Sequence, residues 1–299
     1  MKLTTTDIFK RLGNNNPNLI ILNDKQIKKL QKTILTIADD VIGICEEEKI
    51  NYHLTGGTCL GAVRHQGFIP WDDDIDIDVA REDIDKLLNK IEEKYNDKYY
   101  IHNPYNKDGY SIPNTQIRLK NTLVRGCNDV DSKQAGAYID ISVMENTFDN
   151  KVLRKIHGVV SLALGLIVSC RKFNKNKKYL LKLAKGDTEA TKVFKNKILI
   201  GKILSFLTLR RWTIIYDNWN KICKNTKTKY VTVPTGRKHF FGELYERNDF
   251  YETTKKDFEG RKWNVPKKYD KYLKTMYGDY NKLPDEEEKE RHTLIEFKL

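Results

Sequence analysis

A chain of 299 residues with 39% hydrophobic and 32% charged residues has room for one large domain or two modest ones. Its five cysteines (Cys45, Cys59, Cys127, Cys170, Cys223) are scattered and never form a Cys-x-x-Cys pair, which excludes a disulfide framework or a cysteine zinc site and favours a reducing compartment. The net charge of +13 is unevenly placed: residues 151–230 hold 20 Lys or Arg against three acids (Asp187, Glu189, Asp217). No N-terminal run combines a basic start, an apolar core and a small-residue cleavage site, so no signal peptide is expected and a cytoplasmic location follows.

In chain order, Ile27, Leu30, Ile34, Ile37, Val41 and Ile44 recur at steps of three and four, which predicts a helix within 20–50. Tyr52 to Thr55 reads as a short strand entering Gly56-Gly57. A short helix follows over Thr58 to Arg64, and the Gln66-Gly67 turn closes it. Ile69 to Val79 returns as a strand, and 82–95 is a second amphipathic helix through Ile84, Leu87, Leu88 and Ile91. Gln116–Leu119, Val124 and Ala137–Val143 read as further strands. Helices alternating with strands predict an α+β fold with a mixed sheet core.

The block after residue 150 changes character. Val159 to Val168 is strongly apolar, but the stretch without Lys, Arg, Asp or Glu runs only from Ile156 to Cys170, short of the roughly 20 residues that span a bilayer. Lys and Arg follow directly, and Ile198 to Leu209 repeats the pattern, ending at Arg210-Arg211. Apolar stripes beside basic residues fit helices lying on anionic lipid. The alternatives are a helical subdomain with solvated basic faces or a nucleic-acid surface. The last is disfavoured because 151–190 offers only Phe173 and Tyr179 as aromatics. Three regions are therefore expected: a catalytic core over 1–150, a basic helical insertion over 151–230, and a segment over 231–299 of loops and short helices packing back on the core. Asp285 to Glu288 reads as a solvated helix start.

Chemistry concentrates in Asp72-Asp73-Asp74-Ile75-Asp76-Ile77-Asp78. Alternation with Ile75 and Ile77 would place Asp74, Asp76 and Asp78 on one strand face. Like charges so close are unfavourable unless a cation neutralises them, and a hard divalent ion takes carboxylate and phosphate oxygens together. Gly56 and Gly57, upstream at a strand-to-helix junction, suit close approach of a phosphate. Asp140, alone in the apolar strand Tyr138-Ile139-Asp140-Ile141, is the natural third carboxylate. A phosphate cradle facing a metal platform is the minimal equipment for attack on a nucleotide diphosphate.

Thr55-Gly56-Gly57-Thr58-Cys59-Leu60-Gly61-Ala62-Val63-Arg64-His65 through Gly67-Phe68-Ile69-Pro70-Trp71-Asp72-Asp73-Asp74-Ile75-Asp76-Ile77 resembles the signature of the LicD family. These are phosphocholine and related phospho-alcohol transferases, akin to fukutin-type ribitol-phosphate transferases, on a nucleotidyltransferase-like fold. The resemblance continues through Gln116-Ile117-Arg118 and Tyr138-Ile139-Asp140-Ile141, and resumes in Phe258-Glu259-Gly260, Val265-Pro266, Tyr272-Leu273, Tyr277-Gly278-Asp279-Tyr280 and Leu283-Pro284. It implies Asp74 and Asp76 as the metal pair with Asp140 as third acid, holding Mg²⁺ or Mn²⁺. It implies substrate contacts at Gly56, Gly57, Thr58, Arg64 and His65, with Arg118 as a further phosphate clamp. Asp78 departs from the pattern and leaves open whether the pair is 74/76 or 76/78, the resemblance favouring the first.

The resemblance implies transfer of a phospho-alcohol, phosphocholine above others, from a CDP-alcohol to a hydroxyl of a cell-surface glycan or its lipid-linked precursor, as in lipopolysaccharide, teichoic acid or capsule. The basic block would dock that acceptor, placing the protein in the cytoplasm or peripherally on the inner face of the cell membrane. Competing readings are a nucleotidyltransferase adding a nucleoside monophosphate to a sugar or protein, and a non-catalytic nucleic-acid-binding protein using the basic block.

Overall fold

The computed structural model describes residues 5–14, 16, 19–106, 111–127, 129–130, 132–284, 289 and 293–299; the acidic run 285–288 lies outside them. The fold is α+β. Eleven helices are described: α1 (Thr5–Asn14), α2 (Asp24–Glu47), α3 (Gly56–Arg64), α4 (Ile84–Tyr95), α5 (Lys151–Lys175), α6 (Lys177–Leu183), α7 (Thr188–Ile203), α8 (Leu209–Asn220), α9 (His239–Gly242), α10 (Arg247–Tyr251) and α11 (Tyr269–Tyr277). The strands are β1 (Tyr52–Leu54), β2 (Asp76–Ala80), β3 (Tyr99–His102), β4 (Thr115–Leu119), β5 (Leu123–Gly126), β6 (Tyr138–Asn146), β7 (Tyr230–Thr232), β8 (Leu244–Glu246), β9 (Thr253–Phe258), β10 (Arg261–Pro266) and β11 (Leu294–Lys298).

The main sheet runs β1-β2-β6-β4-β3, and β7 and β8 extend it from the far end of β6. Only β2 and β6 are parallel; β1–β2, β4–β6 and β3–β4 are antiparallel. The β2–β6 register sets Asp76 opposite Asp140 and Ile77 opposite Ile141. Because side chains alternate across a strand, one face collects Ile77, Val79, Ile139, Ile141 and Ile117, all buried in the main core with α2 and α4. The other face carries Asp76, Asp78, Tyr138, Asp140, Gln116 and Arg118. Helix α2 is positioned by a capping box, in which the Asn23 side chain accepts from the Gln26 N–H and the Gln26 side chain accepts from the Asn23 N–H.

The C-terminal segment differs from the loops and short helices expected there. β9 and β10 form a hairpin, turning at Glu259 and Gly260 with φ of 48° and 77°. Positive φ at both central residues is what a tight right-twisted hairpin requires. This tip clasps the turn after α3: the Glu259 N–H donates to the Gln66 carbonyl, and its side chain accepts the Phe68 N–H at 3.1 Å. β11 pairs with β5, joining the chain's end to the core.

The basic block is helical. α5 packs against α7 and α8, with Ser161 donating to Asn220 (2.7 Å) and Arg171 to the Gly201 carbonyl (2.6 Å). Phe173, Leu180 and Phe194 form a second core with Ile8 and Leu12 of α1. Arg81 pairs with Glu145 of β6 and, at 2.7 Å, with Asp217 of α8, tying the insertion to the sheet. Charge-free residues alone underestimated α5. The helix continues through flanking Lys and Arg to 25 residues, long and apolar enough by length and composition to cross a membrane, although 28% of its most apolar window is buried against the protein.

Candidate active site

Helix α3 begins at Gly56, two residues before the expected start, so both glycines lie in its first turn. Thr55 does not cap it with its side chain; its hydroxyl shares a 2.6 Å hydrogen bond with the Tyr272 hydroxyl, which also accepts the Gly56 N–H at 2.8 Å. First-turn N–H groups have no intrahelical partner, and the helix dipole adds positive potential there. Gly56 has φ of +54°, and a Cβ on it would stand 3.1 Å from Asp76 Oδ2. A Cβ on Gly57 would stand 2.8 Å from Asp72 Oδ2. The two glycines therefore let the start of α3 lie directly against the acidic segment.

That segment is only partly a strand. Pairing begins at Asp76, and Asp72 to Ile75 form a loop, because Asp72 turns its N–H back to the Ile69 carbonyl and β1 is only three residues long. Gln31 of α2 holds this loop by donating to the Asp72 carbonyl at 2.9 Å. The carboxylates of Asp72, Asp73 and Asp74 offer oxygens that all lie within 4.8 Å of one another. Asp76 sits beside Asp140 on the neighbouring strand, and the Asn114 amide donates to Asp140. Tyr138 is within electrostatic reach of both Asp140 and Asp74; burial first, then those charges, hold its hydroxyl well above its ordinary pKa. Among the described residues, the carboxylates that converge within 4.8 Å of one another are thus Asp72, Asp73 and Asp74 of the loop, while Asp76 and Asp140 stand side by side on β2 and β6. Converging hard oxygen donors of one sign beside a helix N-terminus fit Mg²⁺ or Mn²⁺.

Asp78 does not join this platform. It is fully buried under α3, and burial, then the Glu243 charge, push its carboxyl well above the usual range. The strand continues into the core at that point, which closes both faces. Arg118 also corrects the sequence reading. It is 0% exposed, donates to Asp129 Oδ2 at 2.7 Å and Gln116 Oε1 at 2.6 Å, and stacks on Tyr138 with its guanidinium carbon 4.4 Å from the ring centre. A cation so enclosed braces β4 against β6 and is closed to a phosphate. The hydroxyl of Thr58, buried, accepts the Asp76 N–H at 2.9 Å, so this residue fixes the first strand acid in place.

Arg64 and Gly57 are seven residues apart on one helical stripe. The Arg64 Nη1 donates to the Tyr280 carbonyl at 2.8 Å, and its Nε faces His65 Nδ1 at 3.4 Å. Burial, followed by the Arg64 charge, lowers the His65 pKa and favours the neutral ring. Three features were not assigned to the site from the sequence, although Tyr277 lies in the stretch Tyr277-Gly278-Asp279-Tyr280 that carries the resemblance. Tyr277 places its hydroxyl 3.9 Å from the Gly56 Cβ position. The Arg237 guanidinium lies 5.9 Å from the Tyr277 ring centre. Lys289 Nζ lies 4.4 Å from the Trp71 ring centre, next to the acidic loop. The hint available was the density of aromatics and cations after residue 236, which does not say which of them reach the site.

Residues 49–142 match the family model described as LicD/FKTN/FKRP, nucleotidyltransferase domain, a range that holds every acid of the corner. The chain is 26% identical over 289 residues to the lipopolysaccharide cholinephosphotransferase LicD of Haemophilus influenzae, covering 90% of this chain and 97% of that protein. It is 46% identical over 44 residues to the ribitol 5-phosphate transferase FKRP of human and of mouse, 15% of this chain and 9% of theirs.

Proposed function

From the premise that residues 49–142 are a LicD-family domain, we propose that this protein is a phospho-alcohol transferase that moves phosphocholine from CDP-choline to a hydroxyl of a lipopolysaccharide-type glycan. The observation that carries the reading is the register of Asp76 beside Asp140 under the Gly56-Gly57 start of α3. The near full-length similarity to a cholinephosphotransferase supports the choice of donor and acceptor.

The start of α3 would bind the donor diphosphate through first-turn N–H groups. Asp74, Asp76 and Asp140 would hold Mg²⁺ or Mn²⁺, which when bound neutralises the diphosphate and the crowded carboxylates. The acceptor hydroxyl attacks the phosphorus bearing choline; a new P–O bond forms as the bond to the bridging oxygen breaks, and CMP leaves. Asp140, steadied by Asn114, takes the hydroxyl proton. Arg64 and Arg237 supply positive charge on the flank where α3 meets Tyr277.

Incubating the protein with CDP-choline, Mg²⁺ and a lipopolysaccharide acceptor should release CMP and add one phosphocholine mass to the glycan. Pyrophosphate release from CTP, with a nucleotide left on the acceptor, would replace this reading with nucleotidyl transfer.

A further inference from the structure

The helical insertion leaves a continuous apolar surface uncovered. On α5, Val152, Ile156, Val159 and Leu166 recur at helical spacing and are 66%, 50%, 53% and 54% exposed. α7 ends with Leu199 and Ile203 exposed, and Phe206 in the following 3-10 turn (Leu204–Phe206) is 71% exposed. That turn packs on α5, so the two stripes adjoin. Exposed Lys151 and Lys155 on α5, Lys192, Lys195 and Lys202 on α7, and Arg211 at the start of α8 accompany them. Contiguous apolar area of this kind is rare on a soluble surface and marks a binding face.

We infer that this face rests on the surface of an anionic lipid bilayer, with α5 and the end of α7 lying in the interface and the basic residues over lipid phosphates. Charge selects this occupant: a net-positive rim around an apolar stripe matches acidic headgroups above acyl chains. Surface contact, not spanning, follows from the opposite side of α5. His157, Ser161 and Arg171 there are committed to Trp219, Asn220 and Gly201, and a lone span would carry those polar groups into hydrocarbon. The buried side of α5 is linked to the acid corner through α9. Phe241 of α9 packs on Gly158 of α5, and Arg237, four residues earlier, lies over Tyr277 beside Gly56. A lipid-linked acceptor held at such a surface would meet the site with little search. The bilayer contact stands independently of which group is transferred.

Sedimentation of the full chain with vesicles tests it without any turnover. The wild type should partition onto phosphatidylglycerol–phosphatidylcholine vesicles, less in high salt, and hardly at all onto phosphatidylcholine alone. Leu199→Glu/Ile203→Glu/Phe206→Glu and, separately, Val159→Glu/Leu166→Glu should each weaken partitioning on the order of a hundredfold with unchanged circular dichroism. Leu283→Glu, exposed elsewhere, should bind as wild type. Wild-type protein that ignores acidic vesicles, or variants that bind equally well, would overturn the inference. So would a dimer in solution that these substitutions dissolve without vesicle binding, which would assign the face to a second copy. Resistance to carbonate extraction would also overturn it, by placing α5 across the bilayer.

Discussion

Replacing Arg118 with methionine separates a structural cation from a phosphate clamp. Its guanidinium is 0% exposed and paired with Asp129 at 2.7 Å, and it also donates to Gln116 and the Gly136 carbonyl. Arg118→Met keeps most of the volume and removes the cation paired with the buried Asp129 carboxylate. Breaking a buried pair from one side costs about 3–5 kcal/mol, a third or more of a typical domain's stability. With a urea slope of about 3 kcal/mol/M, the unfolding midpoint should fall by about 1–1.7 M. Arg118→Met/Asp129→Asn should recover most of that loss, since the buried carboxylate charge is removed together with its cation. The assay is urea unfolding by tryptophan fluorescence, beside CDP-choline titration of the folded variants. An unchanged midpoint together with weakened donor binding would refute the reasoning and return Arg118 to the phosphate site.

Gly56→Ala places a Cβ at positive φ and 3.1 Å from the Asp76 carboxylate. It should cost about 1–2 kcal/mol of stability and on the order of a hundredfold in turnover by displacing that acid, read by denaturation and CMP release. Asp74→Ala should lower turnover on the order of 10³-fold with little change in stability; near-normal turnover would remove Asp74 from the site. Glu243, buried beneath the site, has its pKa raised to about 7, chiefly by burial. The folded state therefore keeps a proton that the unfolded chain releases near pH 4.5, so stability falls as pH rises from there to about 7 and the cost is complete above it. Glu243→Gln should flatten that slope and stabilise the protein by about 2–3 kcal/mol at pH 8, measured as melting free energy across pH 4–8.

Where a pattern was local, the sequence displayed it. The alternation of Ile75 and Ile77 with acids located β2, and the steps of three and four located α2, because both elements bury one regular face. Asp78 shared the alternation but is buried: whether a strand face meets solvent depends on what covers it, here α3 and Glu243 from 165 residues further on. Arg118 failed for the same reason, since its partner Asp129 lies in an irregular segment without pattern. The β9–β10 hairpin was hidden because Lys255 and Lys262 fill outward positions while a third lysine, Lys256, takes the half-buried position opposite Trp263, which obscures the period of two. Asp72 and Asp73 were visible as acids but not as members of the cluster, because a loop gathers them by turning back on Ile69.

Calorimetric titration of CDP-choline, CDP-ribitol, CDP-glycerol and CTP, each with Mg²⁺ and with chelator and run beside Asp76→Asn, decides whether the acidic corner binds a CDP-alcohol through a divalent ion. Mg²⁺-dependent binding of CDP-choline in preference to the others, lost in Asp76→Asn, is expected. Preference for CTP, or CDP-choline binding that neither chelator nor Asp76→Asn disturbs, would contradict it.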